Sequence, residues 1–91
     1  MKLPMFTNVE SYKEYLNQRI GANRKEVARL EEQLERVTAG EGKAEWLALN
    51  RIAPGYEDEF WAKHIDWCAS SLRVARRAVK KFEKELASIE A

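Results

Sequence analysis

"WAKHIDWCASSLRVARRAVKKFEKELASI", residues 61–89, decides the fold. Trp61, Ile65, Cys68, Leu72, Ala75, Val79, Phe82, Leu86 and Ile89 follow one another in unbroken alternating steps of four and three. A strand turns its side chains over at every residue, whereas a helix gathers positions three and four apart on one stripe. Four heptads with this period specify a long helix with a coiled-coil-like seam, expected over 56–90. Its first turn carries Glu57, Asp58 and Glu59, and its later turns carry Lys80, Lys81 and Lys84. Both placements suit the helix dipole.

Upstream, "APG" at 53–55 breaks the chain, because Ala53 precedes a proline and is biased away from helical geometry. "KAEWLALNRI", residues 43–52, reads as a short helix of two or three turns inside a connection at 41–55. Before it, Val9, Leu16, Ile20, Val27, Leu30, Leu34 and Val37 mark a second long helix, expected over 8–38. From Leu16 onward they keep a heptad frame if Asn23 fills the slot between Ile20 and Val27. Thr7 and Glu10 have capping-box spacing at its start, and Gly40 in "TAGEG" is the expected left-handed residue at its end. Residues 1–7 are left as an N-terminal arm.

The expected fold is therefore all-α, a single domain built as an antiparallel hairpin of two long helices with a short connecting helix. In that register Asn23 lies near Ser70 and Ser71, which offer its amide a hydrogen bond, and the equal alternative is that it sits at the seam edge in water. Gly21 and Ala22 then face Ala69 and Ala75, which would permit a close crossing. A second row on the later helix, Phe60, His64, Trp67, Ser71, Val74 and Ala78, lies beside the main seam. Residues Trp46, Leu47, Leu49 and Ile52 cover part of that row, and Tyr12 and Tyr15 widen the first helix in the same way. One hairpin cannot hide all this apolar surface. A homodimer forming a four-helix bundle is the expectation, and a monomeric three-helix bundle the alternative.

Composition sets the remaining bounds. With 91 residues, 45% apolar and 34% charged, the chain suits amphipathic helices and is too apolar for a disordered segment. A net charge of +1 gives no global basic excess, so any nucleic-acid reading must rest on local clustering. The one cysteine, Cys68, excludes an intramolecular disulfide and fits a reducing, cytoplasmic setting. "MKLPMFTNVE" lacks the apolar run of a signal peptide, and no stretch reaches the roughly 18 apolar residues of a membrane span.

Motifs for chemistry are scarce. "GEG" at 40–42 has neither a preceding strand nor the lysine–serine ending of a phosphate loop. His64 and Cys68 lie four apart near Glu57, but without the spacing of a zinc site and with Cys68 at a seam position. No catalytic residue, metal or other cofactor is expected. Trp46, Tyr56, Phe60, Trp61 and Trp67 gather at one end of the hairpin, where large rings with polar handles suit a protein partner or else close the core. Arg73, Arg76, Arg77, Lys80, Lys81 and Lys84 form a basic row on the later helix. In the heptad frame it is the solvated back of that helix, with sequence-independent phosphate binding as the alternative. The expected function is a non-enzymatic, self-associating protein that binds a protein partner as an adaptor or inhibitor. A nucleic-acid-associated protein is the alternative.

Overall fold

The computed structural model of the chain describes residues 8–90. Among them every regular element is a helix: α1 (Val9–Thr38), α2 (Lys43–Leu49) and α3 (Glu57–Glu90). Helix α1 packs against α3. At about 1.5 Å per residue, α1 is roughly 45 Å long and α3 roughly 50 Å.

Helix ends are set by local chemistry. The expected cap Thr7 lies outside the described residues. Asn8 occupies the capping position, its Oδ1 accepting from the Ser11 amide at 2.8 Å. Its side chain thereby satisfies one of the four otherwise orphaned donors of the first turn. At the other end, the Gly40 amide bonds to the Val37 carbonyl and the Glu41 amide to the Arg36 carbonyl, both at 3.0 Å. This is a Schellman closure, and Gly40 provides its left-handed residue at φ 85°.

Helix α2 ends three residues before the expected 52. The Asn50 amide and its Nδ2 both donate to the Trp46 carbonyl, at 3.0 and 2.8 Å. Arg51 then turns left-handed at φ 53° and repeats the Schellman pattern, with Ile52 bonded back to Leu47 at 3.1 Å. Helix α3 opens on its three acids. Lys43 donates to Asp58 at 2.8 Å and, by that hydrogen bond first and its charge second, holds the Asp58 carboxyl below its ordinary range.

The described residues form two compact units, one of residues 28–73 and one of residues 8–27 with 74–90. In the unit of 28–73, Leu30, Val37, Trp61, Cys68 and Leu72 are buried. Leu34, Trp46 and Ile65 pack against the cluster of Val37, Trp61 and Cys68. In the other unit, Leu16 and Ile20 are buried, and Val79, Phe82, Leu86 and Ile89 are half-buried. There the Tyr12 hydroxyl donates to Glu85 at 3.0 Å, Arg24 pairs with Glu83 at 2.5 Å, and the Arg19 guanidinium sits 5.8 Å from the Phe82 ring. In each unit a segment of α1 packs against a segment of α3.

All nine seam positions of α3 are buried or half-buried, as the period requires. Two expectations at the seam of α1 fail. Gly21 and Ala22 are exposed, and a Cβ added at Gly21 would meet nothing within 4 Å, so no close crossing forms there. One residue is a 100° step around a helix, and with Ile20 buried, Gly21 turns outward. Asn23 follows neither of its two readings: its Nδ2 is buried, out of the water, and has no hydrogen-bond partner.

Candidate interaction surface

The five aromatic residues singled out by sequence do not behave as one surface. Trp61 is buried, and Trp46 is half-buried against it with its ring edge-on at 5.6 Å and 70°. These two rings belong to the core of the unit of 28–73, where deleting such a side chain costs roughly 3–5 kcal/mol. Tyr56, Phe60 and Trp67 stay exposed, Trp67 at 63%. Tyr56 and Phe60 meet edge to face at 6.5 Å.

His64 is held between two indoles. It stacks on Trp46 at 4.6 Å and 26°, and on Trp67 at 6.2 Å and 12°. Trp67 lies parallel to the imidazole at this wider separation and most of its indole meets solvent. Cys68 Sγ lies 3.9 Å from His64 Nε2, at the long end for a sulfur contact. Cys68 is 1% exposed, and burial pushes its thiol pKa up, which disfavours the thiolate that both nucleophilic attack and metal ligation require. Glu57 is turned to the backbone, accepting from the Gly55 amide at 2.8 Å. Among the described residues no three histidines, cysteines or carboxylates are grouped to hold a metal ion.

Two further apolar features flank these rings in sequence. Leu49, expected to cover α3, is 83% exposed, because α2 turns Trp46 and Leu47 inward and leaves Leu49 on its far side. Asn50, Arg51, Ile52, Ala53, Tyr56 and Phe60 line an open groove of about 440 Å³. The left-handed turn at Arg51 and the Pro54–Gly55 break shape it. No residue-type motif announces this groove. Its signal in the sequence is only the clustering of Asn, Pro and Gly between two helical patterns.

On α3 the basic row is placed as the heptad frame requires. Arg73, Arg76, Arg77, Lys80, Lys81 and Lys84 are all exposed. The two acids nearest the last of them, Glu83 and Glu85, are engaged by Arg24 and Tyr12 of α1. Phe60, Trp67 and Val74 share another stripe of the same helix at seven-residue spacing, and they are 37%, 63% and 63% exposed. Half-buried His64, Ser71 and Ala78 interleave with them. Among the described residues no helix is long and apolar enough to cross a membrane.

Comparison with protein-family models, with curated proteins and with solved structures finds no match for this chain.

Proposed function

We propose that this protein is a non-enzymatic helical interaction module that self-associates and binds a protein partner, in the manner of an adaptor or inhibitor. One observation carries the reading: Trp67 is 63% exposed although the histidine beside it is stacked and the seam beneath it is filled. Covering a large ring left in water releases transfer free energy on the order of 2 kcal/mol. Aromatic side chains of this kind are where interfaces concentrate their binding energy. The groove between Asn50 and Phe60, with Tyr56 on its wall, is the second element, suited to an apolar side chain of the protein partner.

The test uses the intact chain as bait in extracts of its native host, beside a Tyr56→Glu variant whose circular dichroism matches the parent. Proteins retained by the parent and lost by the variant support the groove as the partner site. The same proteins retained by both overturn it.

The basic row favours a second reading, a nucleic-acid-associated protein, because all six of its side chains reach solvent. No amide or aromatic residue interleaves the row to read bases, so binding would be sequence-independent and steeply salt-dependent. The first reading expects weak or no binding of short duplexes at about 150 mM salt by fluorescence anisotropy. Tight binding, abolished by Arg77→Glu with Lys80→Glu at unchanged helicity, would reverse the ranking.

A further inference from the structure

We infer that the groove between Asn50 and Phe60 receives a short segment of the protein partner in which an apolar side chain stands next to a carboxylate. The apolar group lies against Ile52, Tyr56 and Phe60, and the carboxylate meets the Arg51 guanidinium. This rests on the partner site proposed above and adds the chemistry of the segment that fills it.

Among the described residues Arg51 is the one non-glycine with a positive φ, at 53°, and the other such positions are Gly40, Gly42 and Gly55. A left-handed backbone brings Cβ close to the following carbonyl oxygen, a clash that glycine lacks. The turn after α2 could close on glycine, as the turn after α1 does, yet it carries an arginine. The dipole of α2 does not explain the choice. A base within its last turn, which has none, would serve the dipole without the backbone cost. Nor does the fold employ the guanidinium. Arg51 is exposed, and among the described residues no carboxylate pairs with it and no aromatic ring stacks on it. A strained residue whose side chain the fold leaves unused marks a place held for a ligand.

The rest of the lining supplies the apolar half of the recognition. Ile52, Ala53, Tyr56 and Phe60 carry no charge, and Tyr56 is 53% exposed. Covering such rings is favourable in proportion to the area removed from water. The charges that follow in the chain are already matched. Lys43 pairs with Asp58 at 2.8 Å, Lys63 with Glu59 at 3.4 Å, and Glu57 accepts from the Gly55 amide. Arg51 is thus the unmatched charge of the lining, and its sign selects an acid. A planar guanidinium takes a carboxylate through two parallel N–H···O bonds. At the rim of an open groove such a pair fixes the register of the segment more than it adds affinity. A nucleic-acid strand would need further bases to follow its phosphates, and no other residue of the lining is basic.

The experiment selects short peptides from a random phage-displayed library on the full chain, in parallel with its Tyr56→Glu and Arg51→Gly variants. Glycine adopts the φ of residue 51 freely, so Arg51→Gly keeps the turn and removes the guanidinium. Arg51→Gln, which keeps the backbone strain and loses the charge, is the second variant, and circular dichroism checks the fold of each. A selected peptide is then made with its acid replaced by the matching amide, and both forms are titrated by fluorescence anisotropy. The expected peptides bind the parent but not Tyr56→Glu, and they share an apolar residue beside Asp or Glu. Replacing the acid should weaken binding to the parent about three- to tenfold and change nothing on Arg51→Gly or Arg51→Gln. Equal affinity of the acid and amide forms for the parent, or an acid preference that survives in both Arg51 variants, overturns the carboxylate contact. Peptides that bind Tyr56→Glu as well as the parent overturn the groove as their site. Failure to enrich any peptide overturns the inference, while host proteins lost on Tyr56→Glu would leave the partner site itself standing. Peptides and host proteins both indifferent to Tyr56→Glu overturn the two readings together.

Discussion

Leu72 and Arg77 are five residues apart on α3 and have opposite environments: Leu72 is 4% exposed and Arg77 is exposed. Leu72→Ala should cost roughly 2–5 kcal/mol in urea unfolding, the range for a buried leucine whose site collapses only partly. Arg77→Ala should stay within about 0.5 kcal/mol. Equal losses would mean that the helical phase of α3 is wrong. Asn23 is the opposite case, a polar group in an apolar seam with its Nδ2 buried and unpartnered. Replacing it by Leu should raise stability by about 1–3 kcal/mol, the penalty an unsatisfied buried group carries. A loss of stability would show that the amide is satisfied in solution. Both positions were legible as seam positions, since spacing alone gives the phase. The state of the Asn23 amide was not, because a hydrogen bond depends on side-chain geometry to within tenths of an ångström and heptad spacing resolves only a face.

Among the elements, α3 was the most legible and the connection the least. Thirty-four residues with one period leave little choice of secondary structure. The seven residues of α2 do not, and its end is set by Asn50 and by a left-handed Arg51 that no glycine or proline announces. The start of α1 differs by one residue from the capping-box reading for a related reason. Asn8 and Thr7 are both good caps, and only the backbone decides which is used. Gly21 shows what small residues in a pattern do not reveal: it was expected in a close crossing and lies outside, with open space around it. Gly21→Ala in this exposed stretch of α1 should therefore stabilise the protein by about 0.5–1 kcal/mol, read as a raised midpoint of thermal or urea unfolding. Destabilisation would show that another surface approaches Gly21 in solution.

For the molecule as a whole, the distribution of charge matters more than its total. A net charge of +1 conceals a unit of 28–73 with nine acids and six bases, while the described residues of the other unit carry nine bases and six acids. The aromatic candidates were legible as a cluster but not as two groups, because burial divides Trp46 and Trp61 from Tyr56, Phe60 and Trp67. The central claim is that the chain self-associates and that its exposed rings, Trp67 above all, are covered by protein. Sedimentation equilibrium of the unmodified chain from about 1 to 100 μM tests it most directly. The predicted mass is twice the 10.6 kDa of the chain, reverting to 10.6 kDa in Trp67→Glu at unchanged helicity. A mass of 10.6 kDa for the unmodified chain across that whole range would contradict it.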